Sequence, residues 1–394
     1  MELTQVATLV NNATKEAIGE ETVLQEDLSN VVDIGEQIMN SRSVDKYVRA
    51  LVDHIGKVIF VNRAYRGSVP SVLRDGWEYG AVLEKIATVL PEAEENESWE
   101  LEDGRSYDPN VFKKPTVIAK FFNRKTTFDI QLSFTEMQAR GSFSSASQMN
   151  GFISMLFNSV DNSSTVKLSE LVMRTINNMI GGTFYDLTAN GGNAYDGNAR
   201  CVNLLKIYNE RFPSAPLTAE KSLDDPAFIR YAVFVMSLYE TRMRRMSKLF
   251  NVGGQPRFTP SDRLHFVLLD VVAKAADVFL QSNTFHDEFT KLPKAELVPY
   301  WQGSGLDYGF DSITSIDIKV ATGDSETPSA AVSQSGIIGV MFDHDALGVN
   351  NEERRVTTNW NPKAEFYNNW YKYEMNFFND FNENFIVFYV ADET

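Results

Sequence analysis

Apolar positions along the chain fall into short runs of helical or strand period, divided by polar links. Val31, Val32, Ile34 and Ile38 lie on one helical face. Val44, Val48, Leu51, Val52 and Ile55 repeat the pattern at i, i+4, i+7, i+8 and i+11. Gly56 stands where a helix would stop, and 58–61 then reads as a short strand. These stripes are thin, so residues 1–60 are expected to bury them against something other than themselves. Pro70, Gly76 and Gly80 break regular structure, and a dense acidic section follows, from Glu92 to Asp103. Strand pattern resumes at 116–122. The next run, 127–134, alternates with Phe128, Ile130, Leu132 and Phe134 on one face. A stretch as long as 66–122 with no core-building pattern is either disordered or an extended functional hairpin. Trp99 and Leu101 within its acidic section favour a hairpin that docks on a neighbouring molecule.

Residues 144–182 read as helical. Ser144, Ser145 and Ser147 offer N-caps, and Met149, Phe152, Ile153, Leu156 and Phe157 share one face. A polar link at 161–165 interrupts this spine. Leu168, Leu171, Val172, Thr175, Ile176 and Met179 resume it, and Gly181 with Gly182 is expected to end it. Residues 190–340 mix elements in the manner of an α/β block. Helices are expected at 202–211 and 226–250, and a buried strand at 265–270 runs into a further helix. Another strand is expected at 313–320, a surface loop at 321–335 and a buried strand at 337–342. The last segment is dense in aromatics, with twelve between Trp360 and Tyr389. Within it 371–377 alternates as a half-buried strand, 379–384 is a turn cluster, and 385–390 is apolar on both faces like a central strand. The two strands are expected to pair as one long antiparallel hairpin with Trp370 and Tyr373 in its core.

Charge narrows the function. The 394 residues carry a formal net charge of −16, which excludes binding of nucleic acid or of anionic membranes through bulk electrostatics. A hydrophobic share of 43% with 23% charged residues is that of a folded globular chain. Cys201 is the single cysteine, so neither an intrachain disulfide nor a cysteine zinc site can form, and four histidines make a histidine-rich metal site improbable. No basic segment opens the sequence in the manner of a secretory signal. The longest apolar stretch, 227–239, is interrupted by Arg230 and is short of the roughly 20 residues that a membrane span needs. A soluble protein of a reducing compartment is expected.

No catalytic signature stands out. The glycine-rich stretch at 191–198 lacks the spacing and the lysine of a phosphate loop and reads as a plain loop. Asp343, His344 and Asp345 are consecutive, so they point to different sides of a strand, and they read as a solvated strand-end turn rather than as metal ligands. Basic side chains cluster at Arg242, Arg244, Arg245 and Lys248, where they suit a helix C-terminus. Their functional alternative is a site that receives acidic groups from a neighbouring chain. Neither an enzymatic activity nor a cofactor is expected.

The order of the regions, together with three stretches, resembles the major capsid proteins of tailed bacteriophages with the Hong Kong 97 fold. It looks most like those of small short-tailed phages of Gram-positive hosts. The stretches are V-R-A-L-V-D-H-I-G-K-V-I at 48–59, the run from T-F-D-I-Q-L-S-F at 127–134 through the spine, and the segment 342–374. That last segment opens F-D-H-D-A-L-G-V, passes through an Asn-Pro and ends in aromatic strand.

The resemblance implies an α+β subunit of Hong Kong 97 type. Residues 1–60 would be an N-arm, 61–122 an extended E-loop, 123–189 the spine helix of a P-domain, 190–340 an A-domain and 341–394 the P-domain's terminal hairpin. It implies a major capsid protein that assembles as hexamers and pentamers into an icosahedral shell around double-stranded DNA. It further implies a separate scaffolding protein, a portal protein at one vertex and no membrane, in a virion assembled in the host cytoplasm. An encapsulin-like nanocompartment and an unrelated soluble enzyme are the alternatives. Expected assembly contacts are Glu94, Glu95, Glu97, Trp99 and Glu100 on the acidic segment, Arg242 and Arg245 on the basic cluster, and Trp370 and Tyr373 on the aromatic strand.

Overall fold

A computed structural model describes residues 3–19, 25, 29–40, 44–61, 69–74, 83–88, 98, 100–107, 110, 112, 114, 117–122, 124–281, 294–303, 309–321 and 328–393. The chain divides into two units. One takes Met1–Tyr79, Lys125–Arg174 and Val349–Phe377, and the other takes Gly80–Arg124, Thr175–Gly348 and Phe378–Thr394. Elements are numbered in chain order across both.

The first unit opens with three helices, α1 (Leu3–Ile18), α2 (Val31–Asn40) and α3 (Val44–Val61). Val6, Leu9, Val10 and Ala13 of α1 and Tyr47, Val48, Leu51, Val52 and Ile55 of α3 are buried, and the two helices pack on each other. The α1 and α3 stripes are thus buried on each other, contrary to the expectation, while α2 and Tyr47 of α3 meet Phe143 outside the segment. One strong stripe on each helix is enough when two such stripes meet. Nor does α3 stop at Gly56. It runs through 58–61, a segment too short for its period to separate strand from helix. Gly35 of α2 has a packing reason, since a Cβ there would lie 2.5 Å from Phe143.

A four-stranded sheet completes this unit, in the order β1 (Leu73–Arg74), β11 (Leu347–Asn361), β12 (Phe366–Asn379) and β4 (Lys125–Thr135). The alternation expected over 127–134 is present, with the even-numbered residues of β4 turned inward. β12 pairs antiparallel with β4, setting Tyr371 opposite Ile130 and Tyr373 opposite Phe128. The odd-numbered residues of β12 are thus the buried face, and Trp370 lies half-buried on the other one. Thr135 caps the short helix α4 (Glu136–Ser142) through a capping box with Gln138. Ser145 then caps α5 (Ala146–Ala189) by accepting from the Gln148 N–H at 3.2 Å.

α5 is one helix of 44 residues, without the expected interruption. Ser164 and Thr165 donate back to the carbonyl of Asp161 at 3.0 and 2.9 Å, so the polar link satisfies itself within the helix. Gly181 and Gly182 do not end it either. A Cβ at Gly182 would stand 2.4 Å from the Phe381 ring, and one at Gly181 would stand 2.6 Å from Ile318. These glycines admit neighbours to the helix surface rather than stopping it.

In the second unit, where α5 continues from Thr175, the core is a five-stranded sheet. Its order is β5 (Cys201–Asn203), β13 (Phe385–Tyr389), β10 (Ile337–Asp343), β6 (Leu264–Leu269) and β7 (Glu296–Val298). Every residue of β10 and β13 is buried, as expected for central strands with apolar side chains on both faces. The helices of this unit are α6 (Leu204–Arg211), α7 (Ala219–Ser222), α8 (Pro226–Met243), α9 (Asp270–Gln281) and α10 (Phe310–Thr314). Asp225 caps α8 by accepting from the N–H groups of Ala227 and Phe228. The helix expected at 202–211 begins as strand β5, the one expected at 226–250 stops at Met243, and 313–320 opens on the end of α10.

Two antiparallel ribbons belong to the same unit, β2 (Leu83–Thr88) with β3 (Val117–Phe122) and β8 (Ile316–Ala321) with β9 (Pro328–Gln334). The second replaces the surface loop expected at 321–335. Its small side chains hid a strand that partners β8 over most of its length.

The terminal hairpin is also corrected. β12 and β13 lie in different sheets, and β12 instead neighbours β11 and β4. The turn cluster at 379–384 carries the chain from one sheet to the other. The opposite faces of β12 make its aromatic positions unequal. We predict that Tyr373→Ala, at a residue 3% exposed, lowers unfolding free energy by about 3–5 kcal/mol. Trp370→Ala is expected to cost less than about 2 kcal/mol. Urea unfolding of both variants checks this, and equal losses would place the Trp370 face in the core.

Candidate assembly contacts

Sequence expectation placed assembly contacts on three segments. Glu94, Glu95, Glu97 and Trp99 lie outside the described residues, while Glu100 is exposed. Arg242, in the last turn of α8, sits with its guanidinium 5.2 Å from the centre of the Tyr239 ring. Arg244 pairs with Glu240 one turn earlier at 2.6 Å. Arg245 is exposed in the turn that follows, where its N–H donates to the Arg242 carbonyl. Beyond this turn an isolated bridge joins Ser247 to Arg257. The apolar residues interleaved here divide: Met243 and Phe250 are buried, whereas Met246 and Leu249 face solvent. The basic cluster is thus a helix end in part engaged within its own chain, with an apolar outer rim. Trp370 and Tyr373 share β12 but not a face.

The ribbon β2–β3 holds what the sequence did not disclose. In its register Lys85 stands directly opposite Lys120. Two like charges at a cross-strand pair repel, yet both ammonium groups converge on the turn between β12 and β13. Lys85 Nζ lies 2.9 Å from one oxygen of Asp380 and 2.8 Å from Glu383, and it also donates to the carbonyl of Asp345 at 3.2 Å. Lys120 Nζ lies 3.2 Å from the other Asp380 oxygen. Arg257 approaches Glu383 at 3.2 Å. The Asp380 side chain is 2% exposed, so removing its cations would strand a charge away from water at a cost of about 3–5 kcal/mol. Burial raises the pKa of Asp380, but Lys85 and then Lys120 outweigh it and hold the carboxyl below the usual range. Burial likewise works against the charge on Lys85, and Asp380 with Glu383 reverses that and raises its pKa. Phe122, at the end of β3, adds a ring contact with Phe378 at 5.4 Å.

On the opposite face β3 presents Val117 and Phe121, 53% and 63% exposed, and in the register these stand opposite Thr88 and Glu84 of β2. Leu101 and Phe112, between the two strands in sequence, are exposed as well.

The turn at 343–345 is less solvated than expected. Asp343 is buried and accepts from the Asp345 N–H, Asp345 pairs with Arg263, and His344 Nδ1 lies 2.9 Å from His265 Nε2. Pairing of β10 with β6, which sets Asp343 opposite Leu264, takes Asp343 out of water, while Asp345 and Arg263 stay partly exposed. Among the described residues no group of three His, Cys, Asp or Glu side chains is arranged to hold a metal ion, and no helix is long and apolar enough to cross a membrane.

A buried mixed sheet with a two-stranded ribbon ionically tied to the turn beside it defines an α+β subunit with no cluster of metal-ligating side chains among the described residues. The model of the family described as Phi29-like phage major capsid protein matches residues 9–389, and the chain belongs to that family. It is a shell-forming component of a phage virion. Several solved structures are similar to it. One is from the capsid of Staphylococcus phage Andhra, with 12% identity, a TM-score of 0.49, and coverage of 84% of this chain and 86% of that one. Another, from the structure of the head fiber and inner core protein of native bacteriophage P68, has 10% identity, a TM-score of 0.48 and the same coverage. A third, from the capsid of the cyanophage P-SCSP1u, has 9% identity, a TM-score of 0.44, and coverage of 82% of this chain and 87% of that one. No curated protein matches the chain.

The charged cluster predicts an acid transition. A carboxyl whose folded pKa is depressed contributes stability that is complete above its unfolded value, near 3.9, and is lost as pH falls through the folded one. Hydrogen-exchange protection of the β2 and β3 amides is therefore expected to stay constant from neutral pH down to about 5 and to fall below about 4. A decline already complete at pH 6 would assign the transition to another group.

Proposed function

We propose that the chain is a major capsid subunit of Hong Kong 97 type, assembling as hexamers and pentamers into an icosahedral shell around double-stranded DNA. In this reading 1–60 is the N-arm, 61–122 the E-loop, 123–189 the spine, 190–340 the A-domain and 341–394 the terminal part of the P-domain. A separate scaffolding protein guides assembly in the host cytoplasm, a portal protein occupies one vertex, and the chain carries out no catalysis. The observation that carries this reading is the ribbon β2–β3, which presents Val117 and Phe121 to water. A neighbouring copy would cover them, since a closed ring of identical chains gives every subunit the same partner.

The net charge of −16 supports the content of the shell. An acidic wall repels phosphates, so the packaged polymer slides past it without sequence-specific binding. The acidic segment with Glu94, Glu95, Glu97 and Glu100 has the opposite need, because its crowded carboxylates order most readily beside cations. The Arg and Lys side chains of an adjacent subunit can supply these, with Arg242 and Arg245 as candidates, while Trp99 serves as an apolar anchor.

Electron microscopy of the chain co-expressed with its scaffolding protein tests the reading. Closed icosahedral particles built of this chain are expected, and a monodisperse monomer under all conditions would overturn it. Converting Glu94, Glu95, Glu97 and Glu100 to Gln is expected to lower the melting temperature of the shell and to flatten its salt dependence. Each exposed pair is worth only about 0–1 kcal/mol, but the contact recurs in every subunit. Shells that melt like the parent at low and high salt would return this segment to the status of a solvated loop.

A further inference from the structure

We propose that Lys85 and Lys120 on the ribbon, with Asp380 and Glu383 on the turn between β12 and β13, form an ionic latch that fixes the direction of the ribbon on the free subunit, before any neighbour is met. The proposal rests on the reading of the ribbon as an assembly arm.

Three observations carry it. First, β2 and β3 form a sheet of two strands, and such a ribbon has little stability of its own in water. Second, the cations are placed for this one function. They are register partners, Lys85 and Lys120, and they approach different oxygens of the same carboxylate at 2.9 and 3.2 Å. Their mutual repulsion turns into a two-sided grip only when Asp380 lies between them. Third, the anchor is rigid. The Asp380 N–H donates to the Ala346 carbonyl at 2.7 Å, the Phe385 N–H to Phe250 at 2.8 Å and the Asp343 N–H to Asn384 at 2.9 Å. The latch thus joins a ribbon that lacks a core to a turn fixed on the central sheet. A pre-set arm loses less conformational freedom when a neighbour docks, and assembly starts at a lower subunit concentration.

The test uses the full chain in two states. In the unassembled subunit, amide exchange is followed in β2 and β3 and, for comparison, in β10 and β13. Lys85→Met with Lys120→Met keeps the aliphatic stems and removes the charges. Its ribbon amides are expected to exchange about tenfold faster or more, with the sheet amides unchanged. The subunit concentration at which shells appear is expected to rise several-fold. Lys85→Arg with Lys120→Arg should restore both readouts towards the parent values. Ribbon amides that exchange equally fast in parent and Met variant would overturn the latch. Loss of protection at β10 and β13 as well would overturn it too, by making the cluster part of the folding core. Failure of the parent chain to form shells under any condition would instead count against the assembly reading, whatever the exchange data show.

Discussion

A carboxylate withdrawn from water must be met by cations, and Asp380 sets that requirement beside the central sheet. The turn that carries it cannot move away. Its backbone is bonded to Ala346, and Asn384 in the same turn is buried with its amide donating to Thr259 at 3.0 Å. The balance must therefore come to the turn, and Lys85 and Lys120 on the ribbon supply it. Through this one charge balance a segment with no core of its own obtains a defined place on the subunit. The ribbon's inward face sets Lys85 and Lys120 against the carboxylate, and β3 turns Val117 and Phe121 to the other side.

The same turn shows why much of the fold was legible in the sequence and the strand pairing was not. Alternation gave β4, and unbroken apolar runs gave β6, β10 and β13, close to their observed bounds, because a half-buried strand differs at every second position and a central one is apolar on both faces. Pairing depends on where the chain goes between strands. Asn379 to Asn384 has the composition of a hairpin turn, and nothing in that composition tells that β13 continues in another sheet. The glycines at 181 and 182 misled for a related reason. As punctuation they end a helix, but here they make room for Ile318 and Phe381, neighbours distant in sequence.

The candidate contacts were legible to different degrees. Exposed charge could be read at Glu100 and Arg245, since a charged residue in a polar stretch is normally outside. Lys85 and Lys120 gave no such signal. Lys120 is a single lysine in a strand-like run, and Lys85 lies in a stretch with no strand pattern of its own, so both read as solvated. Asp380 and Glu383 lie among asparagines and look equally solvated in the sequence. Burial of the carboxylates, and their meeting with the ribbon, are products of tertiary structure alone.

Two exposed strand faces finally separate where this subunit tolerates water from where it does not. The outward residues of β4 include Lys125, Thr127, Asp129, Gln131 and Ser133, all polar and all exposed. Covering them would strip hydration from two charges, Lys125 and Asp129. The outward face of β3 offers Val117 and Phe121, 53% and 63% exposed, and covering the part that remains in water gains about 1–2 kcal/mol each. One face thus gains from a neighbour and the other loses by it. The hydrophobic effect has no direction of its own, so in the proposed assembly the direction would come from the placement of these few side chains. The grip of Lys85 and Lys120 on the inward face is what keeps them turned outward.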